Sequence, residues 1–179
     1  MEILGHKIKL RRLREQDATQ VAYHANNPNI FANVRDFFPQ PYLPENAIDF
    51  INLIKDEDPF CTFGITLGDE VIGVIGLVPH GDIYRHTIEM GYWLGEDHWG
   101  KGYATEAIGL ITNYAFDELN KRKIFSCVYA ENTGSIRALE KNGFETEAIL
   151  KDQVFKLGRF QDEQRMAKWN NLFQFLIEE

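Results

Sequence analysis

Glu89-Met90-Gly91-Tyr92-Trp93-Leu94, followed five residues later by Trp99-Gly100-Lys101-Gly102-Tyr103-Ala104-Thr105-Glu106-Ala107, is the stretch on which the reading of this chain turns. Thr87 to Leu94 reads as a strand. It feeds a glycine-bearing turn that opens directly into a helix, where Ala104, Ala107, Ile108, Ile111, Ala115 and Leu119 recur at helical spacing. The first turn of a helix leaves backbone N–H groups unpaired and carries the positive end of the helix dipole. Glycines at 100 and 102 let an anion approach that backbone closely, so the turn reads as a phosphate or pyrophosphate site. On spacing alone, a tight strand-to-helix turn with no ligand explains it equally well. Neither familiar phosphate loop fits. There is no Gly-x-x-x-x-Gly-Lys-Ser/Thr run, and Thr105 stands where Gly-x-Gly-x-x-Gly needs its third glycine.

Outward from this stretch, strands and helices are interleaved. Ile8 to Leu13 alternates apolar and charged residues, as a strand does. Asp17 is placed to cap a helix that stops at Asn26-Asn27-Pro28. Residues 35–44, with Pro39, Pro41 and Pro44 among aromatics, read as a long loop, and Glu45 to Lys55 as a second helix. Phe63 to Leu67 and Val71 to Val78 flank Gly68-Asp69 as a hairpin. Gly73, Gly76 and Gly91 inside strands mark bulges or close approaches to the backbone. Downstream lie a strand (Lys123 to Ala130), a short helix (Thr133 to Lys141) stopped by Asn142-Gly143, and two strands (Thr146 to Val154, Gln161 to Asn170) about Gly158. The expected fold is α/β (α+β), one domain over 1–179 with a mixed sheet and helices on its faces.

Composition narrows the function. The chain has 179 residues, 44% of them hydrophobic, the profile of a folded domain. With 19 Lys+Arg against 27 Asp+Glu, its net charge of −8 argues against a nucleic-acid binder. No apolar run reaches the roughly 20 residues of a membrane span. The N-terminus lacks the basic-then-apolar pattern of a signal peptide. Cys61 and Cys127 read as buried free thiols of a reducing compartment, so a cytoplasmic location is expected. Cys and His do not cluster at metal-ligand spacing, and no metal is expected.

Trp99-Gly100-Lys101-Gly102-Tyr103-Ala104 resembles the acyl-CoA-binding motif Gln/Arg-x-x-Gly-x-Gly/Ala of the GNAT superfamily of N-acetyltransferases. Gly102 and Ala104 hold its small positions, while Trp99 departs from Gln/Arg. Asn132-Thr133-Gly134-Ser135, then Asn142-Gly143-Phe144, resembles the family's Asn-x-x-Ser, helix, Asn/Leu-Gly-Phe segment; ordinary helix capping is the alternative reading. Leu10 to Asp17, Gly91 to Leu94 and Gly158 to Asp162 are similar to the branch that acetylates the N-termini of ribosomal proteins (RimJ/RimL-like), so the likeness covers nearly the whole chain.

The resemblance implies a mostly antiparallel sheet in which Thr87–Leu94 and Lys123–Ala130 splay apart around acetyl-CoA. It implies backbone pairing of the pantetheine arm with Tyr92, Trp93 and Leu94, and the pyrophosphate on Gly100 to Thr105 beside Trp99, with Lys101 either adding charge or solvated. Asn132 would orient the arm or a water, and Ser135 would donate to the departing thiolate. Glu89 would hold or activate the amine; a structural pair with an arginine such as Arg11 or Arg12 is the equal alternative. Tyr92, Tyr129 and Asp162 are weaker candidates. Phe31, Phe37, Phe38 and Tyr42 line an acceptor pocket or cover a core, and His98 is near the cofactor mouth with no role assigned. The implied reaction is acetyl transfer from acetyl-CoA to a primary amine, either a protein N-terminus or a small amine, by a monomer or homodimer. Rival readings are a small-molecule or antibiotic acetyltransferase, a non-catalytic acyl-CoA-binding module, and a nucleotide-binding domain, the last disfavoured by the missing phosphate lysine.

Overall fold

The computed structural model describes residues 1–173; residues 174–179, the end of the domain expected over 1–179, lie outside the described residues. The chain runs β1 (Glu2–Leu4), β2 (Lys9–Arg11), α1 (Ala18–Ala25), α2 (Pro28–Phe31), α3 (Pro44–Ile54), β3 (Thr62–Leu67) and β4 (Glu70–Pro79). It continues through β5 (Thr87–Leu94), α4 (Tyr103–Asp117), β6 (Lys123–Tyr129), α5 (Thr133–Glu140), β7 (Glu145–Lys156) and β8 (Arg159–Trp169). The strands form one eight-stranded sheet in the order β1-β2-β3-β4-β5-β6-β8-β7. Only β5–β6 is parallel; every other neighbouring pair is antiparallel. The mixed α/β sheet flanked by helices is therefore as expected. Among the described residues no helix is long and apolar enough to cross a membrane.

Alternation along β5 divides the interior. Ile88, Met90 and Leu94 are buried with Ala107, Ile108 and Ile111 of α4 and Leu139 of α5. Trp93, on the opposite face, packs with Val21 of α1, Ile51 of α3 and Phe38 of the loop after α2. Truncating a fully buried isoleucine such as Ile108 or Ile111 costs about 2–5 kcal/mol, so α4 is anchored by its apolar stripe.

Several local expectations are corrected. Pro28 ends α1 but also begins α2: Asn27 caps the new turn by accepting from the Asn29 and Ile30 amides at 2.8 and 3.2 Å, and proline suits the first helical position. Asp17 does not cap α1. Its carboxylate is buried in an ion pair with Arg11, at 2.7 and 2.9 Å, and also accepts the Arg14 amide. Burial alone would raise the Asp17 pKa, but the bonds from Arg11 and Arg14 outweigh it and hold the carboxyl below its ordinary value. The first strand is shorter than read and pairs with β1, which was not foreseen. Cys61 is buried but Cys127 only partly so; both are free.

Candidate active site

The site begins where the parallel pair fails. Thr87, Ile88 and Glu89 pair with Lys123, Ile124 and Phe125. Beyond Glu89 the strands part, while β5 stays paired to β4 as far as Leu94. The wedge opens into a cleft of about 680 Å³. Gly95 N donates to Ile72 O at 2.8 Å, which fixes the alternation of the β4–β5 ladder. Tyr92 and Leu94 accordingly turn their backbone groups into the wedge, and Trp93 turns its own toward β4. The Leu94 carbonyl already accepts from Trp99 Nε1 at 2.7 Å. Trp99 thus ties the turn to the strand end, whereas the motif's Gln/Arg is absent.

The turn that follows is shaped for close approach. Gly100 and Gly102 have φ of +73° and +85°, a region open to glycine, and a Cβ on either would meet nothing within 4 Å. Gly102 caps α4 without a side chain, so the first-turn amides face the cleft uncapped. Gly100, Gly102, Tyr103, Ala104 and Thr105 line that cleft. Lys101 is exposed and stands outside the wall.

The opposite wall is the start of α5. Asn132 accepts the Ser135 amide at 3.1 Å, the helix-capping bond of the alternative reading. The Tyr92 hydroxyl crosses the wedge to Ser135 Oγ at 2.6 Å. Burial pushes the Tyr92 hydroxyl up to about 12, outweighing the lowering by Ser135. Asn142 donates to the Thr105 carbonyl at 2.9 Å, joining the end of α5 to the first turn of α4. The two walls are therefore locked together by side chains from both motifs.

Glu89 stands elsewhere. It lies on the Trp93 face, away from the Tyr92 hydroxyl, and is ion-paired with Arg35. Neither arginine expected as its partner is near: Arg11 holds Asp17, and Arg12 lies over the Phe60 ring. Of the four aromatics read as lining an acceptor pocket or covering a core, none lines the cleft. Phe38 and Tyr42 pack into the core beneath Trp93, Phe37 is exposed, and Phe31 lies under Lys156. Residues of α2 and the turn after it, Asn29, Ile30, Ala32, Asn33 and Val34, form the rim instead. Tyr129 donates to the Val34 carbonyl at 3.2 Å, and Asp162 pairs with Lys151. His98 does line the cleft. The sequence reading also missed Arg137, Lys141 and Arg159 on the cleft wall; Arg137 and Lys141 carried a signal, since four-residue spacing puts them on one face of α5 with Gly134 and Ala138.

A family model described as Acetyltransferase (GNAT) domain matches residues 7–145. The probable N-acetyltransferase YjcK of Bacillus subtilis strain 168 is 37% identical, over 93% of this chain and 96% of its own. Spermidine N(1)-acetyltransferase of Escherichia coli strain K12 is 29% identical, over 97% and 91%. The crystal structure of ribosomal-protein-S5-alanine acetyltransferase from Vibrio fischeri superposes with a TM-score of 0.81 over 97% of this chain and 99% of that one, at 19% identity.

Proposed function

The chain belongs to the acetyltransferase (GNAT) family, and from that premise we propose which of its residues carry an acetyl-CoA-dependent transfer to a primary amine. The pyrophosphate rests on the α4 amides from Gly102 to Thr105, and the pantetheine arm pairs with the wedge-facing backbone of Tyr92 and the Leu94 amide. The amide nitrogen of Asn132 guides the arm, its oxygen being taken by Ser135. Arg137 and Lys141 supply positive charge at the mouth. The observation that carries this reading is the parting of β5 and β6 in front of an uncapped helix N-terminus.

The acceptor ammonium loses a proton and its nitrogen attacks the thioester carbonyl. The C–N bond forms, the C–S bond breaks, and the amide nitrogen gives up a second proton. The thiolate takes one proton, leaving one released overall. The Tyr92 hydroxyl, held protonated by burial and bonded to Ser135, is the donor to the thiolate. Glu89 is reached from the Trp93 face, where Gly91 leaves open space. It serves the amine once Arg35, 62% exposed at its side chain, swings aside.

Two acceptors are in view. The likeness to the spermidine acetyltransferase, at 29% identity, favours a cationic polyamine. The opening motif favours a protein N-terminus, with support from fold likeness alone. We place the reaction in the cytoplasm, where both occur. Calorimetric titration with acetyl-CoA, with ATP and NAD as controls, tests the cofactor. Binding in the micromolar range, about −8 kcal/mol, is expected for acetyl-CoA only. Thiol release with spermidine, simple amines and N-terminal peptides then ranks the acceptors. No thiol release with any amine sinks the assignment of an amine acceptor.

A further inference from the structure

Three side chains distant in sequence meet behind the glycine turn. His24 comes from α1, Glu70 from the first position of β4, and His98 from the single helical turn Glu96–His98 that precedes Trp99. His24 Nε2 lies 3.2 Å from Glu70 Oε1, and His98 Nε2 lies 3.9 Å from the same oxygen. The two imidazoles meet edge to face with centroids 5.2 Å apart. One ligand atom from each residue lies within 4.8 Å of the others.

A hydrogen bond between His24 and Glu70 accounts for two of the groups. It leaves His98 unexplained. Its side chain is 12% exposed, its Nδ1 is buried with no partner among the described residues, and its Nε2 is beyond hydrogen-bond reach of Glu70. The ring is thus held by burial while its Nε2 faces the Glu70 carboxylate with no hydrogen bond between them.

We propose that His24, Glu70 and His98 bind a divalent transition-metal ion of the zinc class. Two imidazole nitrogens and one carboxylate oxygen are a donor set suited to such an ion, with a fourth position left for water. In a tetrahedral site with bonds of about 2.0–2.1 Å, ligand atoms stand about 3.3 Å apart. The two distances to Glu70 already approach that, and Glu70 can adjust because its side chain is 48% exposed. The His24 ring cannot drift: a Cβ on Gly95 would lie 2.5 Å from its Nδ1, so the backbone packs directly on it. A cavity of about 200 Å³ bordered by Tyr23, His24, Asn27, Glu96 and Asp97 opens beside His24. The ion braces α1 and the β3–β4 turn against the residue that leads into Trp99-Gly100-Lys101-Gly102. It takes no part in the transfer chemistry.

The test uses the full chain without an affinity tag, stripped with a chelator and returned to chelator-free buffer. Cobalt(II) is titrated and followed by its visible absorption, then displaced with zinc(II). One equivalent with intense tetrahedral bands is expected. Affinity should fall by about tenfold or more in His98→Gln and in Glu70→Gln, since outer contacts alone change metal affinity 10–100-fold. The Glu70 variant alters an exposed side chain and keeps the fold. His80→Gln serves as a control and leaves binding unchanged. Absence of one-to-one binding, or binding unaltered in both the His98 and Glu70 variants, overturns the proposal.

Discussion

The turn proposed to receive the cofactor and the roof of residues over the wedge face each other across β5, and they use different parts of the chain. The turn is backbone: two glycines at positive φ, the first amides of α4 and the open edge of β5. The roof, residues 29–36, is held largely by side chains, with Asn29 donating to Glu96 at its start. Arg35 pairs with Glu89, Asp36 with the buried Lys156, and Tyr129 reaches the Val34 carbonyl. Backbone recognition, as proposed for this turn, tolerates replacement of neighbouring side chains, and Trp99, in the motif's Gln/Arg place, bonds the Leu94 carbonyl instead. It suits the part of the reaction that never changes, the cofactor. Side-chain pairs can change one residue at a time, and they suit the acceptor.

The sharpest way to break this contrast is Gly102→Glu. The backbone at φ +85° strains any side chain, and the new carboxylate enters the space where phosphate is proposed to sit. Strain of about 1–3 kcal/mol together with like-charge repulsion should weaken acetyl-CoA binding by roughly 100-fold or more. Gly102→Ala, which meets nothing within 4 Å, should show only the strain. Calorimetry on both folded variants decides it, and equal affinity for wild type and Gly102→Glu removes the turn from the site.

Tyr92→Phe comes next, because it tests the hydroxyl that crosses the wedge to Ser135. Loss of a proton donor to the thiolate should lower kcat by about 100-fold with little change in the KM for acetyl-CoA. Ser135→Ala should cost less, since Tyr92 keeps its hydroxyl. The pH profile sharpens this. Burial raises the hydroxyl from 10.0 to about 12, so it stays protonated through neutral pH, and the wild-type rate should show no fall from this group below about pH 11. With the folded pKa above the unfolded one, its contribution to stability is whole below pH 10 and is lost as pH rises toward 12. A basic limb near pH 9 that vanishes in Tyr92→Phe would falsify the assignment of the hydroxyl.

The same contrast explains what could be read in the sequence. Gly100, Gly102 and the stripe of α4 are local patterns, and each stands where it was expected; the Asn132–Ser135 cap is a local pattern too, read beforehand as the alternative to a cofactor role. The strand pair that splays was also legible, through resemblance. The partner of Glu89 was not: Arg35 lies 54 positions away, in a segment read only as a loop. Lys156 and Asp36 are separated by 120 positions. No local period links such residues; they meet because α2 folds back over β5 and the β7–β8 hairpin. His24, Glu70 and His98 are hidden for the same reason. Pro28 misled because proline ends one helix and begins another with equal ease.

Lys156 and Asp36 give a third, smaller effect on the side-chain half of the comparison. The lysine side chain is 2% exposed and its Nζ lies 3.6 Å from the Phe31 ring centroid, while Asp36 is 74% exposed. Removing the carboxylate strands a buried cation; removing the cation only returns Asp36 to water. Asp36→Asn should therefore destabilise by about 2 kcal/mol, less than for a pair buried on both sides. That corresponds to a melting temperature lower by roughly 5 °C for a chain of this size. Lys156→Met, which keeps the volume, should cost less than about 1 kcal/mol. Thermal melts that reverse this order contradict the asymmetry.

Lys101→Ala tests the smallest effect and the backbone half of the contrast most directly. Lys101 lies between the two glycines, where the resemblance leaves it either adding charge to the pyrophosphate site or solvated. It is exposed and stands outside the wall of the cleft, whereas Arg137 and Lys141 belong to it. A solvated cation near an anion contributes little because water and salt screen it. Acetyl-CoA affinity should then fall by only about twofold to threefold, and less still at high salt. If Lys101→Ala weakened binding as much as Gly102→Glu, the amides would not be the main contact, and the division between a backbone wall and a side-chain roof would fail at the glycine turn itself.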